Sequence, residues 1–321
     1  MPESRATFEG IVNAANRIGR SIPPTPIARA EVLSQLFGAE IWIKNETVSP
    51  IASFKLRGAL TALMRNQSAA SVVTSSTGNH GQGVAFAARA LGRKAEIFLP
   101  RGANPLKRRM IELAGARIHE VGYDLDGAKE EAIRYARDRG LLFVDDGESL
   151  DVIEGAGTVG LEIVDSLSGV DLVFVPMGSG SLASGVAVAV KERFPDARIL
   201  AVQSSGAPAM ARSFRARRAV SVPVDTVADG LVCREPARVA LENLIAFVDD
   251  AIEVSDDAIL AAMHQMIRDA HILVEPAGAA SLAGAAAYSK HLKGERVVLI
   301  ASGANVTDDI LRRALDAPFA L

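Results

Sequence analysis

The sequence predicts an α/β protein built on parallel sheet with helices on both faces. Short apolar runs rich in β-branched residues alternate along the chain with longer segments of helical period. The runs are almost unbroken in apolar character, which is the pattern of strands buried on both faces, and strands separated by helices in this order pair in parallel. A further observation concerns organisation. One strand-helix series runs from about residue 70 to 147 and a second from about 150 onward, so a smaller unit is expected inside a larger one.

The first informative stretch is Ser53-Phe54-Lys55-Leu56-Arg57-Gly58-Ala59, at the expected mouth of a helix. A lysine there is ordinarily a solvated charge, so its neighbours must decide whether Lys55 is more than that. Strand "SVVTSS" (71–76), helix "QGVAFAARAL" (82–91), strand "AEIFLP" (95–100) and helix "NPLKRRMIELAGA" (104–116) follow. The later strands are "LLFV" (141–144), "DLVFVP" (171–176), "RILAVQ" (198–203) and "RVVLIA" (296–301). The basic run "ARSFRARRAV" (211–220) reads as a solvated helix face.

Three polar, glycine-containing turns each follow a strand and open a helix, where open α/β sheets bind ligands. "SSTGNHGQG" (75–83) gathers hydroxyls, an amide and an imidazole, more than a helix cap requires. "MGSGSLASG" (177–185) has glycines that let the backbone approach closely and a helix start that attracts an anion. Tight strand-helix packing would explain the same glycines, and the spacing Gly178, Gly180, Gly185 departs from the dinucleotide fingerprint. "ASGANVT" (301–307) again sets a hydroxyl and an amide among small residues. If the three turns converge, Lys55 offers an imine-forming amine at one crevice, and a phosphate-bearing aldehyde cofactor would use all of them.

Bulk composition narrows the partners. The 321 residues are 49% hydrophobic and 23% charged, with a formal net charge of −3 and no basic or acidic block. Neither a nucleic-acid footprint nor a membrane-surface helix is indicated, and a small molecule is the expected partner. Cys233 is the one cysteine, which excludes an intramolecular disulfide framework and fits a reducing, cytoplasmic setting. From Met1-Pro2-Glu3-Ser4-Arg5 onward no leader or membrane span is expected.

Taken together, "SFKLRGA", Ser-x-"GNHGQG", the glycine-serine loop, "DTVADG", "EPAGAAS" and "SGAN" occur in an order that resembles the fold type II, or β-family, pyridoxal-phosphate enzymes. The similar branch is that of the serine/threonine dehydratases and serine racemase. The resemblance implies two open, mostly parallel twisted sheets flanked by helices, as in the tryptophan synthase β fold. It also suggests a large cofactor-binding domain of residues 1–69 and 148–321 and a small domain of 70–147. Lys55 would hold pyridoxal 5'-phosphate as an internal Schiff base, with Phe54 beside the ring and Asn79 at its 3-hydroxyl. Gly178, Ser179, Gly180, Ser181 and Leu182 would wrap the phosphate, and Ser302 would meet the ring nitrogen. Ser76, Thr77, Asn79 and His80 would hold the substrate carboxylate. A serine at the ring nitrogen need not keep it protonated, which makes a weaker electron sink and favours β-elimination.

The implied activity is dehydration and deamination of an L-β-hydroxy amino acid, threonine or serine by default, to a 2-oxo acid and ammonia, by a homodimer. Departures from the family pattern leave other readings: another β-hydroxy substrate (phenylserine, hydroxyaspartate or a hydroxyectoine-derived compound), an amino-acid racemase, or a non-catalytic small-molecule binding protein. Thr77 stands where racemases place a serine, which counts against racemisation. Glu154 and Ala156 depart from the family and put the substrate range in question. Gln203, Ala207 and Ala209 replace a cation site, so no metal is expected to be needed. Asp225 and Asp229 read as loop and capping residues, and His264 and His271 as structural. Cys233 reads as a small filler. The chain runs out soon after "SGAN", so no isoleucine-sensing regulatory domain is expected.

Overall fold

A computed structural model of the chain describes residues 5–103 and 105–318. Met1–Ser4, Asn104 and residues 319–321 lie outside the described residues, so the reading of the first residues is followed only from Arg5 and the "NPLKRRMIELAGA" helix from Pro105. In chain order the strands are β1 (Ile27–Arg29), β2 (Glu40–Asn45), β3 (Ser71–Ser75), β4 (Lys94–Leu99), β5 (Arg117–Glu120), β6 (Leu142–Phe143), β7 (Leu172–Pro176), β8 (Arg198–Ser204), β9 (Asp250–Val254) and β10 (Arg296–Ala301). The helices are α1 (Phe8–Ile18), α2 (Glu31–Phe37), α3 (Lys55–Arg65), α4 (Asn79–Ala90), α5 (Pro105–Leu113), α6 (Leu125–Asp138) and α7 (Leu150–Ser166). They continue with α8 (Ser181–Arg193), α9 (Ala209–Ala216), α10 (Arg238–Phe247), α11 (Asp256–Ala270), α12 (Pro276–Ala287) and α13 (Asp308–Asp316).

Two sheets result. The larger has the order β1-β2-β10-β7-β8-β9, parallel throughout except for β1 against β2, and the smaller is the wholly parallel β5-β4-β3-β6. Side-chain alternation along β7 shows why an unbroken apolar run is needed. Val173 and Val175 pack with Val186 and Ala187 of α8 on one face, while Leu172 and Phe174 pack with Leu282 and Ala283 of α12 on the other. In the smaller sheet Val72 and Ile97 meet α3 and α4, and Val73 and Phe98 meet Ala132 and Ala136 of α6.

The strands not anticipated carry charge. β1, β5 and β9 are sheet edges with one unpaired side, where polar residues are tolerated. β2 is interior yet contains Lys44, which is fully buried. Its ammonium donates to the Thr25 carbonyl at 2.6 Å and to Glu162 at 2.5 Å, so the ladder survives a charge that breaks the apolar pattern.

Helix α3 joins the two sheets. Leu56, Leu60 and Leu63 enter the core beneath the smaller sheet, and Gly58 lies against α7 so closely that a Cβ would meet the Val152 carbonyl at 2.8 Å. Arg57 turns inward, buried, and its guanidinium forks onto Glu46 (2.8 and 3.0 Å) and Glu162 (2.6 and 2.9 Å). The helix is thus anchored through Leu56, Arg57, Gly58, Leu60 and Leu63, and Lys55 is left at its first position facing the cleft.

Candidate active site

The carboxyl ends of β3, β7 and β10 open onto one cavity of about 560 Å³ between the sheets. All three polar turns reach it. Phe54 and Lys55 enter from the start of α3, Ser76, Thr77, Asn79 and His80 from the β3–α4 turn, and Ser302 from the end of β10. Gly178, Ser179, Gly180, Ser181 and Leu182 line it from the β7–α8 turn. Glu154 and Ala156 do not line it. The Glu154 carboxylate instead receives Arg65 at 2.5 Å and the Thr7 main chain at 3.2 Å, so its departure from the family pattern serves the packing of α1 and not a substrate.

The entry to α8 has the shape of an anion cradle. Gly180 precedes the helix at φ +93°, a left-handed conformation that favours glycine. A Cβ on Gly178 would lie 2.6 Å from the Gly230 carbonyl of "DTVADG", so close approach of these two turns requires glycine. The first intrahelical bond is Ser184 to Gly180 at 2.9 Å, which leaves the main-chain N–H groups of Ser181, Leu182 and Ala183 without helical acceptors at a cavity wall. The cradle fits a phosphate group. The Ser179 hydroxyl, expected to face that anion, donates instead to Asp146 at 2.9 Å.

Lys55 is ion-paired. Its ammonium lies 2.6 and 2.5 Å from the two oxygens of Asp146, a residue that sequence reading did not single out. Burial would push the Asp146 carboxyl up, but the Lys55 charge, the neighbouring His80 and the hydrogen bonds from Lys55 and Ser179 together hold it well below the usual carboxylate range. Next to it, Asp145 accepts from the Gly147 and Glu148 main chain and pairs with Lys129 at 2.6 Å; against the effect of burial these hold its carboxyl low. A signal for both was present, since "DDGES" follows the strand "LLFV" and opens α7 just as the three recognised turns open their helices.

His80 is fixed by its far side. Nε2 lies 3.1 Å from the Val144 carbonyl, which can only accept, so Nε2 carries a proton and Nδ1 is the ring nitrogen nearest Asp146. That Nδ1 is buried without a hydrogen-bond partner, 3.5 Å from Asp146. Asn79 is held at both ends of its amide: it donates to Glu275 at 2.6 Å and accepts from Asn305 at 2.7 Å. Burial pushes the Glu275 carboxyl up to about 7, the hydrogen bond from Asn79 opposing it. Glu275 and Asn305 lie in "EPAGAAS" and "SGAN", segments whose presence marked the family but whose side chains had been given no role.

Other expectations meet mixed outcomes. Asp229, read as a capping residue, pairs with Lys107 and lines the cavity, whereas Asp225 does not line it and its main chain bonds to Gly206 at 2.8 Å. Cys233 also lines the cavity, yet burial pushes its thiol up to about 12. His264 lies 3.1 Å from the Ala317 carbonyl and His271 ends α11; neither reaches the cavity. Gln203 is tied to main chain, accepting from Ala211 at 2.8 Å and donating to Leu231 at 3.3 Å. Among the described residues no helix is long and apolar enough to cross a membrane.

Comparison with known proteins places this geometry. The family model described as pyridoxal-phosphate dependent enzyme matches residues 18–303. An L-threonine ammonia-lyase of Thermotoga maritima is 35% identical over 314 residues, covering 97% of this chain and 78% of that protein. A chloroplastic biosynthetic threonine dehydratase of Solanum lycopersicum is 38% identical over 295 residues, covering 90% of this chain, and the match spans 49% of the plant protein. Among solved structures, the processed form of threonine deaminase isoform 2 from Solanum lycopersicum superposes with a TM-score of 0.91 at 32% identity, covering 97% of this chain and 92% of that one. Maize serine racemase does so with a TM-score of 0.90 at 30% identity, covering 97% of each chain. Every strand of both sheets falls within the matched residues, so no separate sheet is left to carry a different ancestry: the chain belongs to the pyridoxal-phosphate-dependent enzymes.

Proposed function

We propose that the protein catalyses β-elimination from an L-β-hydroxy amino acid, as a threonine/serine dehydratase-like ammonia-lyase, releasing a 2-oxo acid and ammonia. The observation that carries this reading is the convergence of the Lys55 amine, the α8 anion cradle and the hydroxyl-rich start of α4 on a single cavity. Lys55 would bind the cofactor aldehyde, Phe54 would flank the ring, and the main chain from Gly178 to Leu182 would take the phosphate. Asn79 would meet the ring hydroxyl and Ser302 the ring nitrogen. When bound, pyridoxal phosphate supplies the electron sink that acidifies the substrate's α-carbon.

The chain's own groups do the rest. Ser76 and Thr77 hydroxyls, the Asn79 amide and the free N–H groups at the start of α4 hold the substrate carboxylate. His80 joins that contact through its main-chain N–H at the start of α4. With the substrate held, the Lys55 amine would take the α-proton at Nζ, and the β-hydroxyl, taking up one proton, would leave as water. The distribution of strands between the sheets supports a division into 1–69 with 148–321 and 70–147. Family likeness supports a homodimer, and a single buried cysteine suits the cytoplasm.

Borohydride reduction of the yellow holoenzyme followed by peptide mapping tests the cofactor role, and release of oxo acid and ammonia from a panel of β-hydroxy amino acids tests the reaction. Modification confined to Lys55 with product release is expected. An unmodified Lys55, or interconversion of serine enantiomers without ammonia, would overturn the reading.

A further inference from the structure

The cavity is richer in carboxylates than a threonine site needs. Seven acidic side chains line it against four lysines and arginines, although the same space is to admit a phosphate and a substrate carboxylate. Most of the acids are accounted for. Glu130 and Glu235 are exposed, Asp145 has Lys129, Asp229 has Lys107, and Asp126 faces Arg234 at the mouth. Glu275 hydrogen-bonds to Asn79. Asp146 alone takes as its counter-ion the amine on which the proposed chemistry depends.

That arrangement has a consequence for turnover. Lys55 would be committed to the cofactor aldehyde and would then wait as a neutral amine for the α-proton, so while the substrate binds its free ammonium is withdrawn from Asp146. The 28% of the Asp146 side chain that remains accessible faces the cavity, and the Ser179 hydroxyl that bonds to it belongs to the phosphate cradle. A carboxylate that loses that ammonium bears the desolvation cost of a partly buried charge beside a second anion. His80 Nδ1, in a residue 5% exposed and without a hydrogen-bond partner, lies 3.5 Å from the same carboxylate. The Asp146 carboxylate only accepts hydrogen bonds, and a substrate ammonium, with three donors, would take the place beside it that the Lys55 amine leaves.

We propose that the substrate is a β-hydroxy amino acid bearing a second amino group on a short side chain, and that Asp146 is the residue that selects it. This deepens the β-elimination reading and rests on it. The contact of Asp146 with Lys55 Nζ at 2.5 Å sets the carboxylate beside the reacting carbons, so the second amine belongs at the γ-carbon or one carbon beyond. Threonine would set a methyl group against the same carboxylate.

The test is calorimetric titration of the holoenzyme with 2,4-diaminobutyrate and with norvaline. The two are close in size, one ends in an ammonium and the other in a methyl, and neither has a β-hydroxyl to lose. Diaminobutyrate is expected to bind about tenfold or more tighter, a preference that Asp146→Asn reduces to near parity. Turnover of 2,4-diamino-3-hydroxybutyrate is expected to exceed that of threonine in kcat/KM, chiefly through KM. Equal binding of the two probes by the wild type, or a preference that persists in D146N, overturns the proposal. A diamino preference without oxo acid or ammonia from any β-hydroxy amino acid overturns the elimination reading and leaves the selectivity standing.

Discussion

Glu275 offers a quantitative test of how the cavity is built. Its carboxyl is 3% exposed and is pushed to about 7 from an ordinary 4.5, burial outweighing the hydrogen bond from Asn79. Between those values the folded protein holds a proton that the unfolded chain has released, so stability falls as pH rises through the window. The contribution is fully present below about 4.5 and lost above about 7. Linkage puts the penalty under about 1 kcal/mol at pH 5 and at about 3 kcal/mol at pH 8. Glu275→Gln keeps the oxygen that accepts from Asn79 and removes the titration. Urea unfolding of the cofactor-stripped protein, followed by far-ultraviolet circular dichroism, is therefore expected to show E275Q gaining about 2–3 kcal/mol over wild type at pH 8 and little at pH 5. A difference that does not vary with pH, or a loss at pH 8, would refute the claim that burial keeps this carboxyl protonated.

Two further predictions concern groups outside the chemistry. Arg57→Ala leaves the fully buried Glu46 without a cation and takes from Glu162 one of its two, and is expected to cost about 3–5 kcal/mol in urea unfolding; Arg57→Lys recovers less than half because an ammonium cannot fork onto both carboxylates, and a loss below about 1 kcal/mol would contradict the network. Cys233, with its thiol at about 12, has a thiolate fraction of order 10⁻⁴ at pH 8, so iodoacetamide is expected to label it only after unfolding, and rapid native labelling would show the thiol to be poised for reaction.

How far the sequence carried the structure depends on the range of the forces involved. Strands buried on both faces write an unbroken apolar run into the chain, and β3, β4, β7, β8 and β10 were legible for that reason. β2 was not, because Lys44 interrupts the run and its neutralising partner, Glu162, lies 118 residues away. The turns were legible as a class, since glycine and hydroxyl residues after a strand are local chemistry. What each side chain meets across the cleft is not local. Within "SFKLRGA", Arg57 and Lys55 are two residues apart and equally basic, yet one is sealed among Glu46, Thr158 and Glu162 while the other faces the cavity. The helical turn between them sets the direction, and only the packing of α3 between the sheets decides which direction is inward.

The same limit explains Asp146. "DDGES" had the form of the three recognised turns, a polar, glycine-containing segment between a strand and a helix, but its three carboxylates do not suggest an anion site. Its acidity marks the opposite kind of ligand. Asp146 acquires meaning only when β6 brings residue 146 beside residue 55, a juxtaposition across 91 positions that no period in the sequence encodes. Lys55, Asn79 and Ser302 come with the family's motifs and speak for the cofactor, which is common to the family. In the proposed selection Asp146 speaks for the part of the substrate that the cofactor does not hold, and substrate preference would then be written in the fourth turn and not in the three that point to the chemistry.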